Sequence, residues 1–182
     1  LQALVMPSLA NEFVAGIRTS PSGYEAFLIT TQHPVRMFEM AEQAQQGDPG
    51  AKFYIFPDNM PKSYRENPVK IYRQTIAKNL AFRLCNIWAQ ELAKTSPTEQ
   101  DEHRLLLDPT TIIFSIKSAD HSHISGKVTE PGEGSRLEAL TNLAYSLKRY
   151  AVGELGGAEL GRQTLNFERE YLKPEQLSKI RC

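Results

Sequence analysis

Between Val69 and Lys94 the apolar residues Val69, Tyr72, Ile76, Leu80, Leu84, Ile87, Trp88 and Leu92 recur at three- and four-residue steps. That spacing lays one apolar stripe along a long helix, and such a stripe is stable only when something covers it. The periodicity therefore predicts a helix over 69–94 that needs a hydrophobic partner surface. A second helix is predicted over 135–152, where Leu137, Leu140, Leu143, Ala144, Leu147 and Tyr150 fall on one side. Its start is marked by Ser135 and Glu138, the spacing of a capping box. Gly153, Gly156 and Gly157 are expected to end it.

The partner surface comes from extended segments. Residues 12–17 and 24–30 read as two strands joined by the turn formers Thr19-Ser20-Pro21-Ser22-Gly23, hence a hairpin. Residues 110–117 and 123–129 read as a second strand pair around Ser118-Ala119-Asp120. A short aromatic strand is expected at 52–56, a helix at 35–46 and a turn-rich loop at 57–68. Residues 158–172 give no clear pattern, and Lys173-Pro174-Glu175 suits the first turn of a terminal helix. Strands and helices do not alternate regularly, which argues against a doubly wound parallel sheet. The expected fold is α+β: an antiparallel sheet of hairpins with two main helices, about 69–94 and 135–152, packed on one side. A chain of 182 residues is expected to form one domain over 1–182.

Charge narrows the function classes. Lys plus Arg and Asp plus Glu number 21 each, so no basic surplus marks a protein that coats nucleic acid or anionic membrane. No apolar run approaches the roughly 20 residues of a membrane-spanning helix. Residues 1–10 end in Ser-Leu-Ala, like a signal-peptidase site, but carry no basic leader, and read as an ordered segment of the domain. Cys85 and Cys182 lack metal-knuckle or CxxC spacing and are expected as two free thiols, with Cys85 buried.

Chemistry-bearing residues are sparse. Asp120-His121-Ser122-His123 is the densest group of metal-ligand types, and in extended backbone His121 and His123 share a face. A third ligand would have to come from His33, His103 or Glu130; without one the cluster is a polar hairpin tip. No Gly-x-Ser-x-Gly elbow and no phosphate-cradling loop occurs. The segment 62–94 is locally basic, with Lys62, Arg65, Lys70, Arg73, Lys78, Arg83 and Lys94 against Glu66 and Glu91. With the aromatics of the preceding loop it suggests a binding edge at Phe56, Tyr64, Arg65, Lys70 and Arg73. The alternative is the solvated side of an amphipathic helix.

The reading that follows is a non-enzymatic domain that binds another protein, as an inhibitor, an immunity factor or an accessory subunit. Its alternative is a small hydrolase or metal-dependent enzyme centred on Asp120, His121 and His123. No cofactor, nucleic acid or membrane span is expected. The compartment stays open between exported and cytoplasmic.

Overall fold

The computed structural model describes residues 1–7, 10–46, 61, 63–94, 110–117, 123–129 and 131–172. Six strands form one antiparallel sheet: β1 (Gln2–Met6), β2 (Phe13–Ser20), β3 (Gly23–Thr31), β4 (Val69–Ile76), β5 (Thr111–Lys117) and β6 (His123–Thr129). Their order across the sheet is β4-β3-β2-β1-β5-β6. The helices are α1 (Val35–Gln45), α2 (Lys78–Leu92), α3 (Arg136–Ala151) and α4 (Gly157–Tyr171). This is the expected α+β architecture, with both hairpins in place.

The N-terminal segment becomes β1, an interior strand between β2 and β5. Its alternation places Ala3 and Val5 in the core and leaves Leu4 half-buried on the other face. The β2–β3 turn is tight, with Ser20 opposite Gly23 and only Pro21-Ser22 between them. Gly23 sits at φ 129°, a region that L side chains rarely adopt.

One face of the sheet carries Ala3, Val5, Phe13, Ala15, Ile17, Ala26, Leu28, Ile112, Phe114 and Ile116, all buried. Helices α2 and α3 cover that face, and α4 packs on both of them. Leu80, Leu84 and Trp88 of α2 and Leu140, Leu143 and Leu147 of α3 are all buried, as the apolar spacing requires. The ring of Trp88 meets Phe114 edge-on, with centroids 5.6 Å apart. The opposite face holds Leu4, Val14, Phe27, Ile29 and Ile113, none of them fully buried.

Ser135 caps α3: its Oγ accepts the Glu138 N–H at 3.1 Å. The return bond is shifted by one residue, since the Glu138 carboxylate accepts from the Gly134 N–H. Gly153, at φ 82°, closes the helix in a left-handed turn.

Three expectations need correction. The predicted helix over 69–94 is two elements: Val69–Ile76 is strand β4, and α2 occupies only Lys78–Leu92. The half from Val69 is rich in β-branched and aromatic residues, which suit a pleated surface better than a helix. Pairing with β3 then fixes it as a strand. Gly156 and Gly157 do not merely end α3. They begin α4, whose buried Leu160, Thr164, Phe167 and Glu168 form a third core-forming helix. Finally, Cys85 is buried on α2 but is disulfide-bonded, and no described cysteine is free. Sequence separation says nothing about the distance between two sulfurs, which is what decides a bridge. Cys182, the 52–56 strand and the terminal helix lie outside the described residues.

Candidate functional site

The hydrogen-bond parity of the sheet determines what its edges offer. Thr31 N–H donates to Glu12 C=O at 3.2 Å, so odd-numbered residues of β3 turn their backbone groups towards β2. Even-numbered residues of β3 then face β4, in keeping with the Gln32 N–H to Pro68 C=O bond of 2.9 Å. On β4 this pairs Lys70, Tyr72, Gln74 and Ile76 with β3. The N–H and C=O groups of Val69, Ile71, Arg73 and Thr75 point away from the sheet. No described residue bonds those of Val69, Ile71 or Arg73.

Both ends of this bare stretch are fastened. At its start the buried side chain of Asn67 mimics a strand partner for His33. It donates to His33 C=O at 2.8 Å and accepts the His33 N–H at 3.2 Å. At its end Tyr150 of α3 donates its hydroxyl to Thr75 C=O at 2.6 Å. Between the clamps β4 pairs with β3 residue for residue, without a bulge.

The side chains on the edge are unusual for one left to water. Among the described residues six large apolar side chains are exposed, and four of them, Tyr64, Val69, Ile71 and Tyr72, fall within one nine-residue stretch. Val69 and Ile71 are more than half exposed, at 56% and 52%. Isolated exposed apolar residues are ordinary, whereas several within one short stretch of a sheet edge make that edge a candidate interaction surface. Tyr64 belongs to a one-turn 3-10 helix and meets Phe38 of α1 edge-on at 6.3 Å. The charged residues of the strand are both cations, Lys70 and Arg73, and both are exposed. Cross-strand alternation puts Lys70 on the helix-covered face with Tyr72, and Arg73 on the opposite face with Val69 and Ile71.

The structure thus brings Tyr64, Arg65, Lys70 and Arg73 to one edge of the sheet, with Tyr64 and Arg65 on the turn that leads into it. Phe56, the fifth residue of the expected edge, lies outside the described residues. The helical assignment placed Val69 on the buried stripe and left Ile71 off it, so neither was read as part of the edge. The signal that finds them is β-branched residues at alternate positions, Val69 and Ile71.

The histidine cluster is not assembled in the described part. Asp120 and His121 lie outside it. His123 opens β6 as an exposed residue opposite Lys117, a cation that opposes binding of another. His33 follows β3, four strand positions from β6, which at about 4.8 Å per strand is roughly 19 Å. It therefore cannot complete a site with His123. Among the described residues no group of three or more His, Cys, Asp or Glu is placed to hold a metal ion.

A cleft of about 240 Å³ lies between the N-terminal parts of α2 and α4, lined in part by Leu80, Arg83, Gly161 and Leu165. Its guanidinium is already committed: Arg83 forms a bidentate pair with Glu168 of α4, a carboxylate only 8% exposed. Hydrogen bonding to Glu168 holds the Arg83 pKa above its ordinary value. The pair joins α2 to α4 and leaves no free charge for a ligand. Comparison of the chain with protein-family models, with curated proteins and with solved structures finds no match.

Proposed function

We propose that this chain is a protein-binding domain that docks its partner along the β4 edge, in the manner of an inhibitor, an immunity factor or an accessory subunit. The observation that carries the reading is the concentration of exposed apolar side chains, Tyr64, Val69, Ile71 and Tyr72, on one strand edge and the turn beside it. Folded domains usually blunt such edges with charge, proline or a bulge, because an open one pairs with whatever strand it meets. This edge carries two cations but no proline or bulge within β4, and its exposed Val69, Ile71 and Tyr72 are consistent with its being covered in the working complex. Its clamps at Asn67 and Tyr150 fix the strand in advance, so little ordering entropy is lost when a partner arrives.

The test is site-specific photocrosslinking in extract of the source cells. A crosslinkable residue replacing Ile71 on β4 is compared with one replacing Lys127 on β6. A discrete protein adduct at position 71 and none at 127 is the expected result. Equal labelling at both positions, or none at 71, contradicts the reading. The enzyme alternative rests on Asp120, His121 and His123. Stoichiometric zinc in the purified protein, lost in a His121→Ala/His123→Ala variant, would favour it.

A further inference from the structure

We infer that the occupant of the β4 edge is an extended, acidic segment of another protein that adds to the sheet as a seventh strand. The inference rests on the protein-binding reading and specifies the partner's chemistry. Three consecutive outward residues, Val69, Ile71 and Arg73, offer both N–H and C=O, the ladder that an added strand needs. Tyr150 closes that ladder at Thr75, so the segment is seated over Val69–Gln74.

Charge decides between a foreign strand and a second copy of this chain. β4 carries Lys70 and Arg73 and no carboxylate. A twofold pairing of two β4 strands would gather two lysines and two arginines in one ladder with no carboxylate on either strand to neutralise them, and centred on Lys70 or Arg73 it would set like charges directly opposite one another, which is destabilising. A partner strand with acidic side chains has the opposite balance. In the antiparallel register, its residues from N to C terminus face Arg73, Tyr72, Ile71, Lys70 and Val69 in turn. The complementary order is therefore acidic, apolar, apolar, acidic, apolar. The two carboxylates stand three positions apart and on opposite faces of the sheet. The apolar residues cover Tyr72, Ile71 and Val69, the side chains that water now meets.

The probe is a labelled synthetic peptide, Thr-Glu-Val-Ile-Glu-Val-Thr, titrated into the full chain and followed by fluorescence anisotropy. Saturable binding is expected, and replacing both glutamates by lysine should weaken it about tenfold or more. N-methylation of the isoleucine that faces Ile71 should do the same, since it removes a ladder donor without touching the protein. Ile71→Pro removes an outward N–H that β3 does not use, so the fold should persist while binding falls. A Lys70→Glu/Arg73→Glu variant should prefer the lysine peptide. Peptide binding that ignores N-methylation and Ile71→Pro overturns strand addition. A concentration-dependent dimer that Ile71→Pro abolishes overturns the foreign partner in favour of a second copy. No peptide binding alongside a persistent crosslink at position 71 overturns the acidic-strand chemistry and leaves the protein-binding reading standing.

Discussion

The two edges of the sheet have the same backbone problem and opposite side-chain solutions. On β6 the Leu1–Ile17 pairing sets the parity, and through β1 and β5 it leaves His123, Ser125, Lys127 and Thr129 with outward backbone groups. All four are polar, and Gly126 between them adds no side chain to the strand. On β4 the outward residues are Val69, Ile71, Arg73 and Thr75. Polar side chains keep water on an edge and discourage pairing, while β-branched apolar ones favour it. On the proposed reading, one fold carries a protected edge and a receptive one. The difference lies in a few side chains, not in the architecture.

The contrast supposes that β4 contributes to binding and little to stability. Leu147 is fully buried on α3, the helix that covers β2, β3 and β4. Leu147→Ala should cost about 2–5 kcal/mol of unfolding free energy. Ile71→Ala, on the exposed edge, should stay within about 0.5 kcal/mol. Urea denaturation of both variants checks this, and equal losses would mean that β4 is core and break the contrast.

Proline placed on each edge tests the parity next. Ile71 points its N–H outward, whereas Ile124 of β6 bonds to Ile116. Ile124→Pro should lose that bond and about 1–3 kcal/mol, and Ile71→Pro clearly less. Thermal midpoints of the two variants decide it; the reverse order would invalidate the assignment of free backbone groups.

Much of the sheet was legible because its signals are local. The Pro21-Ser22 turn, the alternation in β2 and β3 and the β5–β6 pair all read directly from short windows. β4 was misread because Val69, Tyr72 and Ile76 happen to continue the true stripe of α2, and no Gly or Pro marks the boundary at Ala77. Only pairing with the distant strand β3 distinguishes the two. α4 was hidden because Gly156 and Gly157 read as the end of α3, yet Leu160, Thr164, Phe167 and Tyr171 keep helical spacing. The basic residues Lys70 and Arg73 were read as exposed but on a helix surface; they are exposed on a strand instead. That the same residues line an open edge follows from register, which no composition argument reaches.

The ends of α3 refine the comparison at smaller amplitude. Ser135→Ala removes the cap and should destabilise the protein by about 0.5–2 kcal/mol. Tyr150→Phe frees Thr75 C=O and should cost about 0.5–1.5 kcal/mol. It also lengthens the open ladder, so the acidic peptide should bind as well as before or better. Weaker binding would show that the clamp matters more than the extra acceptor.

The smallest effect is expected far from the strand register, on α4. Glu159 accepts from Arg162 and Gln163, and these bonds hold its carboxyl down to about 2. Because the folded value lies below the ordinary one, the contribution is complete above pH of about 5 and disappears as pH falls towards 2. Denaturation midpoints between those limits should fall more steeply for the wild type than for Arg162→Ala. Parallel slopes would remove this pair from the account.

The most direct measurement is residue-resolved amide hydrogen exchange with and without the acidic peptide. In the free protein Lys70, Tyr72 and Gln74 should be protected while Ile71 and Arg73 exchange quickly. On peptide binding Ile71 and Arg73 should become protected, and Ser125 and Lys127 on the β6 edge should not change. Protection of Ile71 and Arg73 before any peptide is added, or new protection at β6 instead of β4, would contradict the account.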